Sequence, residues 1–343
     1  MTCHLAKRAR HHCCRTLAWL ALICAAAADE PRQGPVLTIV EENDLVVDTD
    51  QHYTQGLKIA YLFGDASPTN WVSRLSDRLP ALGLQTTASK FGLAVGQNIY
   101  TPGNIDTPAL LLNDRPYAGW LYLGLILQRR GVAFAQTPAL DSLELDLGII
   151  GRESLADDAQ TWVHQMRGFN LPRGWGNQLQ TEMGLSLKYQ RSWRLRKTES
   201  HGWGMEWIPH TGASLGNIAT SFHVGTLLRA GYHLPNDFGA HHIDSLAVTA
   251  GGCAEGDWKS NLGFNVFGGA EGRGVLYSSF LDGNLFRTSH HVIREPLVGD
   301  FKAGFAITFK RAELAYALVL RTKEFTDQTE RNAFGSLTLK VKF

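Results

Sequence analysis

Cysteine is almost missing from the body of this chain. Of five in 343 residues, Cys3, Cys13, Cys14 and Cys24 fall within the first 24 positions and only Cys253 lies beyond them. One remaining thiol excludes a disulfide framework. Cys24 follows Leu22-Ile23, without the small residue expected before a lipidated cysteine. Also missing is any run of about 18 apolar residues, so no transmembrane helix is expected. An excess of one charge is lacking too: 33 basic against 32 acidic residues give +1. That balance offers no basic face, so no nucleic-acid partner is expected. Solenoid repeats and low-complexity tracts are absent, and a hydrophobic content of 44% is too high for disorder.

What is present begins with a leader. Residues 1–15 hold Lys7, Arg8, Arg10 and Arg15 and no acid, and Thr16–Ala28 is an apolar run of 13 ending in small residues. This is the layout of a secretory signal at 1–28; a membrane anchor needs about 20 apolar residues. Without those four cations, 29 basic residues face 32 acids and the mature chain, 29–343, carries −3. Export leaves three classes: a periplasmic protein, a secreted protein, or an outer-membrane barrel.

Alternation of period two, the strand pattern, runs through the rest. Leu143, Leu145, Leu147 and Ile149 oppose Ser142, Glu144, Asp146 and Gly148; Phe301, Ala303, Phe305, Ile307 and Phe309 oppose Lys302, Gly304, Ala306, Thr308 and Lys310. A soluble β-protein alternates too, but its strands average about 5–6 residues, whereas a tilted membrane strand needs about ten. Here the segments are long, and their polar faces are rich in glycine and ionisable groups, as a wet or plugged lumen requires. The chain ends on such a strand at Phe343. A closing strand with a terminal aromatic resembles the C-terminal signature of bacterial outer-membrane barrels, which makes the barrel assembly machinery an expected partner. The predicted fold is all-β: an antiparallel transmembrane β-barrel of about twelve strands, with a short helix in an extracellular loop. The strands are placed at 36–44, 53–63, 88–99, 118–130, 140–151, 180–194, 202–214, 219–233, 260–276, 297–310, 312–323 and 333–343. Connections 45–52, 100–117, 152–179, 215–218, 277–296 and 324–332 then face outward. Segments 64–87 and 234–259 are long for periplasmic turns.

Chemistry is sought in the outward connections. A helix is expected over Ser154–Arg167, capped by Ser154 and stopped by Gly168. Asp157, Gln160 and His164 share one face at i, i+3 and i+7, while Trp162, Val163 and Met166 lie elsewhere and are expected to pack the helix down. A histidine beside an amide and a carboxylate suits a general base whose tautomer its neighbours fix; a capped surface helix with an incidental histidine has the same spacing. At the first hairpin, Glu41-Glu42-Asn43-Asp44, Asp48-Thr49-Asp50 and Tyr53-Thr54-Gln55-Gly56 gather oxygen donors that suit calcium, or form a solvated acidic turn. Gly212-Ala213-Ser214-Leu215-Gly216 matches a nucleophile-elbow pattern, but that motif needs a strand–turn–helix context; here it lies on a hairpin. His241-His242 and His290-His291 lack the i, i+4 spacing of a zinc helix and read as loop residues.

Taken in order, E-N-D (42–44), T-D-x-x-Y-T-x-G (49–56), N-I-Y-T-P (98–102), D-R-P-Y-A-G-W (114–120), G-x-x-G (148–151), Q-x-x-x-H (160–164), W-G-N-Q-L (175–179) and L-D-G-N-x-F (281–286) resemble the outer-membrane lipid A 3′-O-deacylase family over nearly the whole mature chain. The resemblance implies a twelve-stranded barrel with its site at the outer rim. It also implies calcium-dependent hydrolysis of ester-linked 3′ acyl chains of lipid A in lipopolysaccharide, among outer-membrane lipids. Asn43, Asp44, Thr54, Gln160 and His164 match the family's active-site positions, with Asp44 as the implied calcium ligand. His164 would activate water, and Asn43, Thr54 and Gln160 would orient base, water or ester. One departure stands out: the family pattern has a lysine in the second outward loop, and 100–117 contains none, Arg115 being its only cation. The alternative is a non-catalytic barrel, a pore or structural protein, that keeps the rim motif for folding.

Overall fold

The computed structural model describes residues 32–44, 52–239 and 262–343. The leader at 1–28, Asp48-Thr49-Asp50 and His241-His242 lie outside the described residues. Thirteen strand segments form one sheet: β1 (Val36–Asn43), β2 (His52–Leu62), β3 (Gln85–Thr101), β4 (Ala118–Ala133), β5 (Thr137–Ile150), β6 (Glu182–Trp193), β7 (Arg196–Ser200), β8 (Trp203–Gly216), β9 (Ala219–Tyr232), β10 (Leu262–Ser278), β11 (Leu297–Phe309), β12 (Ala312–Arg321) and β13 (Asn332–Lys342). All ladders are antiparallel. β1 pairs with β13, and β6 and β7 pair with successive stretches of β8. β6 and β7 are therefore one barrel strand interrupted at 194–195, and the sheet closes as a twelve-stranded antiparallel barrel. Closure leaves no free edge and satisfies every ladder internally, which is what a strand protein needs in lipid.

Alternation sorts the two faces. On β4, Trp120, Tyr122, Ile126 and Gln128 are buried, while Leu123 and Leu125 between them are exposed, Leu123 by 66%. The exposed set is the lipid-facing wall and the buried set fills the lumen. Charges there are paired: Lys58 of β2 reaches Glu144 of β5 at 2.6 Å, and neighbouring strands match Lys188 with Asp146 at 2.9 Å, Arg229 with Glu206 at 2.6 Å, and Lys340 with Glu313 at 3.0 Å. Buried charges persist only when matched in this way.

Both chain ends of the barrel lie at one rim, where Val36 faces Lys342. This terminal rim carries the two connections whose length was unexpected. In the first, helix α1 (Trp71–Arg78) packs against the wall. In the second, residues 233–239 turn into the lumen, where Phe238 packs with Leu140, Ile208, Leu227 and Phe267. Burial alone would push the Asp237 carboxyl up, but the charges of Arg229 and Lys340 outweigh it and hold it below the usual carboxylate range. Its contribution to stability is thus complete above that range and is lost only as the pH falls through its own, lower value.

One ion pair sets a stability expectation. Asp300 accepts from Arg321 Nε and Nη2, both at 2.8 Å, and from Arg273 at 3.2 Å. Arg321 keeps Glu324 at 3.5 Å and Arg273 keeps Glu271 at 3.3 Å, so Asp300→Leu removes charge-assisted hydrogen bonds without stranding either charge and should destabilise the barrel by about 1.5–3 kcal/mol. Urea titration followed by heat-modifiable gel migration measures this; an unchanged midpoint would contradict it.

Candidate functional site at the far rim

Among the described residues, the connections opposite the termini are 102–117, 151–181, 217–218, 279–296 and 322–331, with Asp44 beside them after β1. All five expected site residues fall on this far rim. Asn43 ends β1 and Asp44 follows it, Thr54 lies near the start of β2, and Gln160 and His164 lie on helix α2 (Ala156–Arg167). Register joins them laterally: Asn43 faces Gln55, Gln55 faces Ile99, and Ile99 faces Gly119. Neighbouring strands are about 4.8 Å apart, so these ends form a short continuous stretch of rim. A bulge at Tyr53/Gln55 re-aims Thr54, whose hydroxyl shares a 2.6 Å hydrogen bond with that of Thr101 at the end of β3.

Helix α2 packs on the wall through Ile99, Ile105, Tyr117 and Trp175, which cluster around its Ala156 and Ala159. Its approach is close because Gly119 has no side chain: a Cβ there would lie 2.0 Å from Ser154 Oγ. Gln97 Nε2 donates to the Ser154 carbonyl at 2.7 Å. Gln97, Ile99 and Gly119 alternate with the lumenal Asn98, Tyr100, Ala118 and Trp120, in phase with exposed Leu93 and Val95. The helix therefore docks on the outer, lipid-side face of the wall, not over the lumen.

Gln160 and His164 are both buried on that docked face. His164 Nδ1 donates to the Asn170 carbonyl at 2.5 Å. A carbonyl can only accept, so Nδ1 carries a proton, and the tautomer this bond selects is the one with its lone pair on Nε2. Gln160 Oε1 accepts from Trp175 Nε1 at 2.9 Å, and its buried Nε2 has no hydrogen-bond partner among the described residues. A buried amide donor left in this state is costly and marks a place for a ligand or water. Gly168 stops the helix in the left-handed conformation, as expected, with φ 70°.

Several expectations need correction. Ser154 does not cap α2. It ends a 3-10 turn, its hydroxyl donates to the Gly151 carbonyl, and left-handed Leu155 precedes the helix with no side-chain cap. Trp162 and Met166 do not pack the helix down: they are 60% and 62% exposed, because the close approach at Gly119 admits alanines, not large side chains. Asp157 is half-exposed and accepts from the Asp158 N–H, so the Asn170 carbonyl, not the carboxylate, fixes the His164 tautomer. Glu42 points into the lumen, bonded to the Tyr53 and Ser336 hydroxyls, and so leaves the oxygen cluster at the hairpin mouth. Residues 212–216 end β8 rather than lying on its turn, and Ser214 bonds to Ser221 and the Ala219 carbonyl, with no elbow. His290 is a loop residue, bridging to the Asp114 carbonyl at 2.8 Å.

Residues missed from sequence alone are Trp175, Thr101, Gly119 and the Asn170 carbonyl. Arg115 does not stand in for the absent loop lysine. It is buried, lies over the Tyr100 and Phe325 rings, and pairs with Glu324 at 3.4 Å.

Among the described residues no three His, Cys, Asp or Glu side chains gather as a metal cluster. The donors at this rim are oxygens: the buried Asp44 carboxylate, the Asn43 amide and the Thr54 and Thr101 hydroxyls. That chemistry fits a hard cation completed by backbone or water oxygens, and does not fit zinc.

A family model described as outer membrane protein LpxR matches residues 16–343. The solved structure of LpxR from Salmonella typhimurium is similar at TM-score 0.71 and 20% identity, covering 90% of this chain and 100% of that one. The β domain of the Bordetella autotransporter BrkA covers 92% of this chain and 100% of its own, at 10% identity and TM-score 0.42, too distant to carry an argument. No curated protein sequence matches the chain.

Proposed function

Because the chain belongs to the LpxR family of outer-membrane proteins, we propose that it is a lipid A deacylase of the outer membrane, hydrolysing the ester that holds the 3′ acyl chain. The observation that carries this reading is the docking of the Gln160/His164 face onto the lipid side of the wall. A site there meets an amphiphile standing in the leaflet without lifting its chains into water. A pore would need an open lumen, and the described lumen is filled by paired charges and by residues 233–239.

His164 acts as general base. Its Nδ1–H is held by the Asn170 carbonyl, and Nε2 takes a proton from water as the water attacks the ester carbonyl. The same proton then passes to the departing sugar oxygen. The Gln160 amide, fixed through Oε1 by Trp175, donates from Nε2 to the water or the developing oxyanion. Asn43 and Thr54 orient the ester from the neighbouring strand ends. Asp44, with oxygens of Asn43 and Thr54, would hold calcium, which when bound supplies positive charge to offset the oxyanion. Ser214 has no part. The far rim faces the cell exterior, after export on the 1–28 signal and insertion by the barrel assembly machinery.

Lipid A mass spectrometry on cells with and without the protein tests this. Loss of one 3′ acyl or acyloxyacyl group is expected with the protein, suppressed by chelator and restored by calcium. Unchanged lipid A spectra from cells holding the folded barrel would overturn the activity; loss of the chain in full chelation would overturn calcium alone.

A further inference from the structure

The connection after β2 does not close the barrel from below; it climbs the outside of the wall. Arg129 on β4, Asp141 on β5 and Arg191 on β6 face each other across the ladder. They alternate with the lumenal Gln128, Ser142, Gln190 and Ser192, and so project to the lipid side. Two guanidiniums on that face are costly unless matched. They are matched by Asp141, at 3.1 Å from Arg129 and 2.6 Å from Arg191, and by five carbonyls of one loop. Arg129 donates to those of Ser76, Leu79 and Pro80, and Arg191 to those of Ala81 and Leu82. Helix α1 is thereby held on the wall through Val72 and Ser76, its start capped by Asn70.

The clamp fixes what α1 shows outward. Trp71, Leu75 and Leu82 are exposed, Trp71 by 56%. Arg74 and Arg78 are exposed beside them, with Asp77 the one acid of the helix. Neither guanidinium has an ion-pair partner among the described residues. The Trp71 ring meets Phe91 at 5.1 Å, and the line continues through Phe63, Tyr61 and Phe343. Aromatic side chains in such a line mark the level of lipid headgroups on a barrel. Apolar and cationic side chains interleaved on one exposed face are the makeup of a helix lying in a membrane interface.

We propose that α1 and its loop form a foot for anionic phospholipid at the terminal rim: Trp71, Leu75 and Leu82 enter the acyl boundary and Arg74 and Arg78 take the headgroup phosphates. Continuity with the lipid-facing wall argues for this occupant over a protein partner. Each arginine near an anionic surface contributes roughly a fivefold preference.

The test reconstitutes the full chain in phosphatidylethanolamine bilayers containing either tail-brominated phosphatidylglycerol or tail-brominated phosphatidylethanolamine. The fluorescence difference between wild type and Trp71→Phe isolates Trp71 from the other tryptophans. Quenching by both lipids is expected, reached at about 25-fold lower mole fraction of phosphatidylglycerol, the product of the two arginines' preferences. That selectivity should disappear in Arg74→Gln/Arg78→Gln, whose barrel still shows heat-modifiable migration and whose far-rim activity is unchanged. No quenching of the Trp71 component by either lipid would exclude the foot and leave the face to a protein partner. Equal quenching by both lipids in the wild type would exclude headgroup recognition.

Discussion

Replacing His164 with alanine is expected to lower ester hydrolysis by about 10²–10⁴-fold, the range that a positioned general base supplies, while the barrel still forms. The two halves of that expectation rest on different parts of the molecule. The barrel is held by strand ladders and by lumenal ion pairs, whereas α2 packs on the ends of β3 and β4 and on Ile105 and Tyr117 of the connection between them. Losing the imidazole leaves the Asn170 carbonyl without its donor, a local cost of about 1–3 kcal/mol. His164→Asn separates base from anchor, because an asparagine amide can still donate to the Asn170 carbonyl but cannot take a proton from water. Both variants should leave lipid A intact in mass spectra and migrate as folded barrels on unheated gels. Retained deacylation in His164→Asn would remove the base from this residue and leave it an anchor of the helix.

How much of this was legible in the sequence depends on the kind of signal. The twelve barrel strands were readable to within about three residues at most ends because alternation is a local consequence of one face meeting lipid and the other the lumen. β7 was taken for a turn because Arg196–Ser200 is exposed throughout and carries no alternation. Helix α1 was hidden for a different reason. Trp71–Arg78 is short, and Arg129 and Arg191 from distant strands hold it in place; a long-range clamp leaves no local pattern. At the site, the i, i+4 spacing of Gln160 and His164 put both on one face, which the structure shows buried together. The atom that fixes the histidine tautomer is a backbone carbonyl, and carbonyls have no letter in a sequence. Trp175 and Thr101 were visible within recognisable motifs, but nothing local says that one bonds Gln160 and the other Thr54. Trp162 and Met166 were misassigned because an apolar side chain on a helix is ordinarily buried, whereas a helix beside a membrane can expose it.

Gly119 tests whether the placement of α2, and not only its residues, matters. Gly119→Ala is expected to reduce deacylation by about 10²-fold with the barrel intact, the size of loss that a displacement of about 1 Å at a reacting centre produces. The added Cβ would lie 2.0 Å from Ser154 Oγ and 2.3 Å from Ala156 Cβ, distances that no rotamer relieves at Ala156. The first turn of α2 must therefore lift from the wall, carrying Gln160 and His164 away from Thr54 and Asp44. The strand itself has no objection, since alanine in place of glycine costs a β-ladder little or nothing. Gly272→Ala on β10 is the matched control: its Cβ meets nothing within 4 Å, so activity should be unchanged. Ser154→Gly combined with Ala156→Gly in the Gly119→Ala background removes the collision and should restore part of the activity. Hydrogen exchange over 156–167 should rise in Gly119→Ala and fall back in the triple variant. Full activity in Gly119→Ala would mean that the helix can move without consequence, and catalysis would then have to be assigned to residues fixed on the strands.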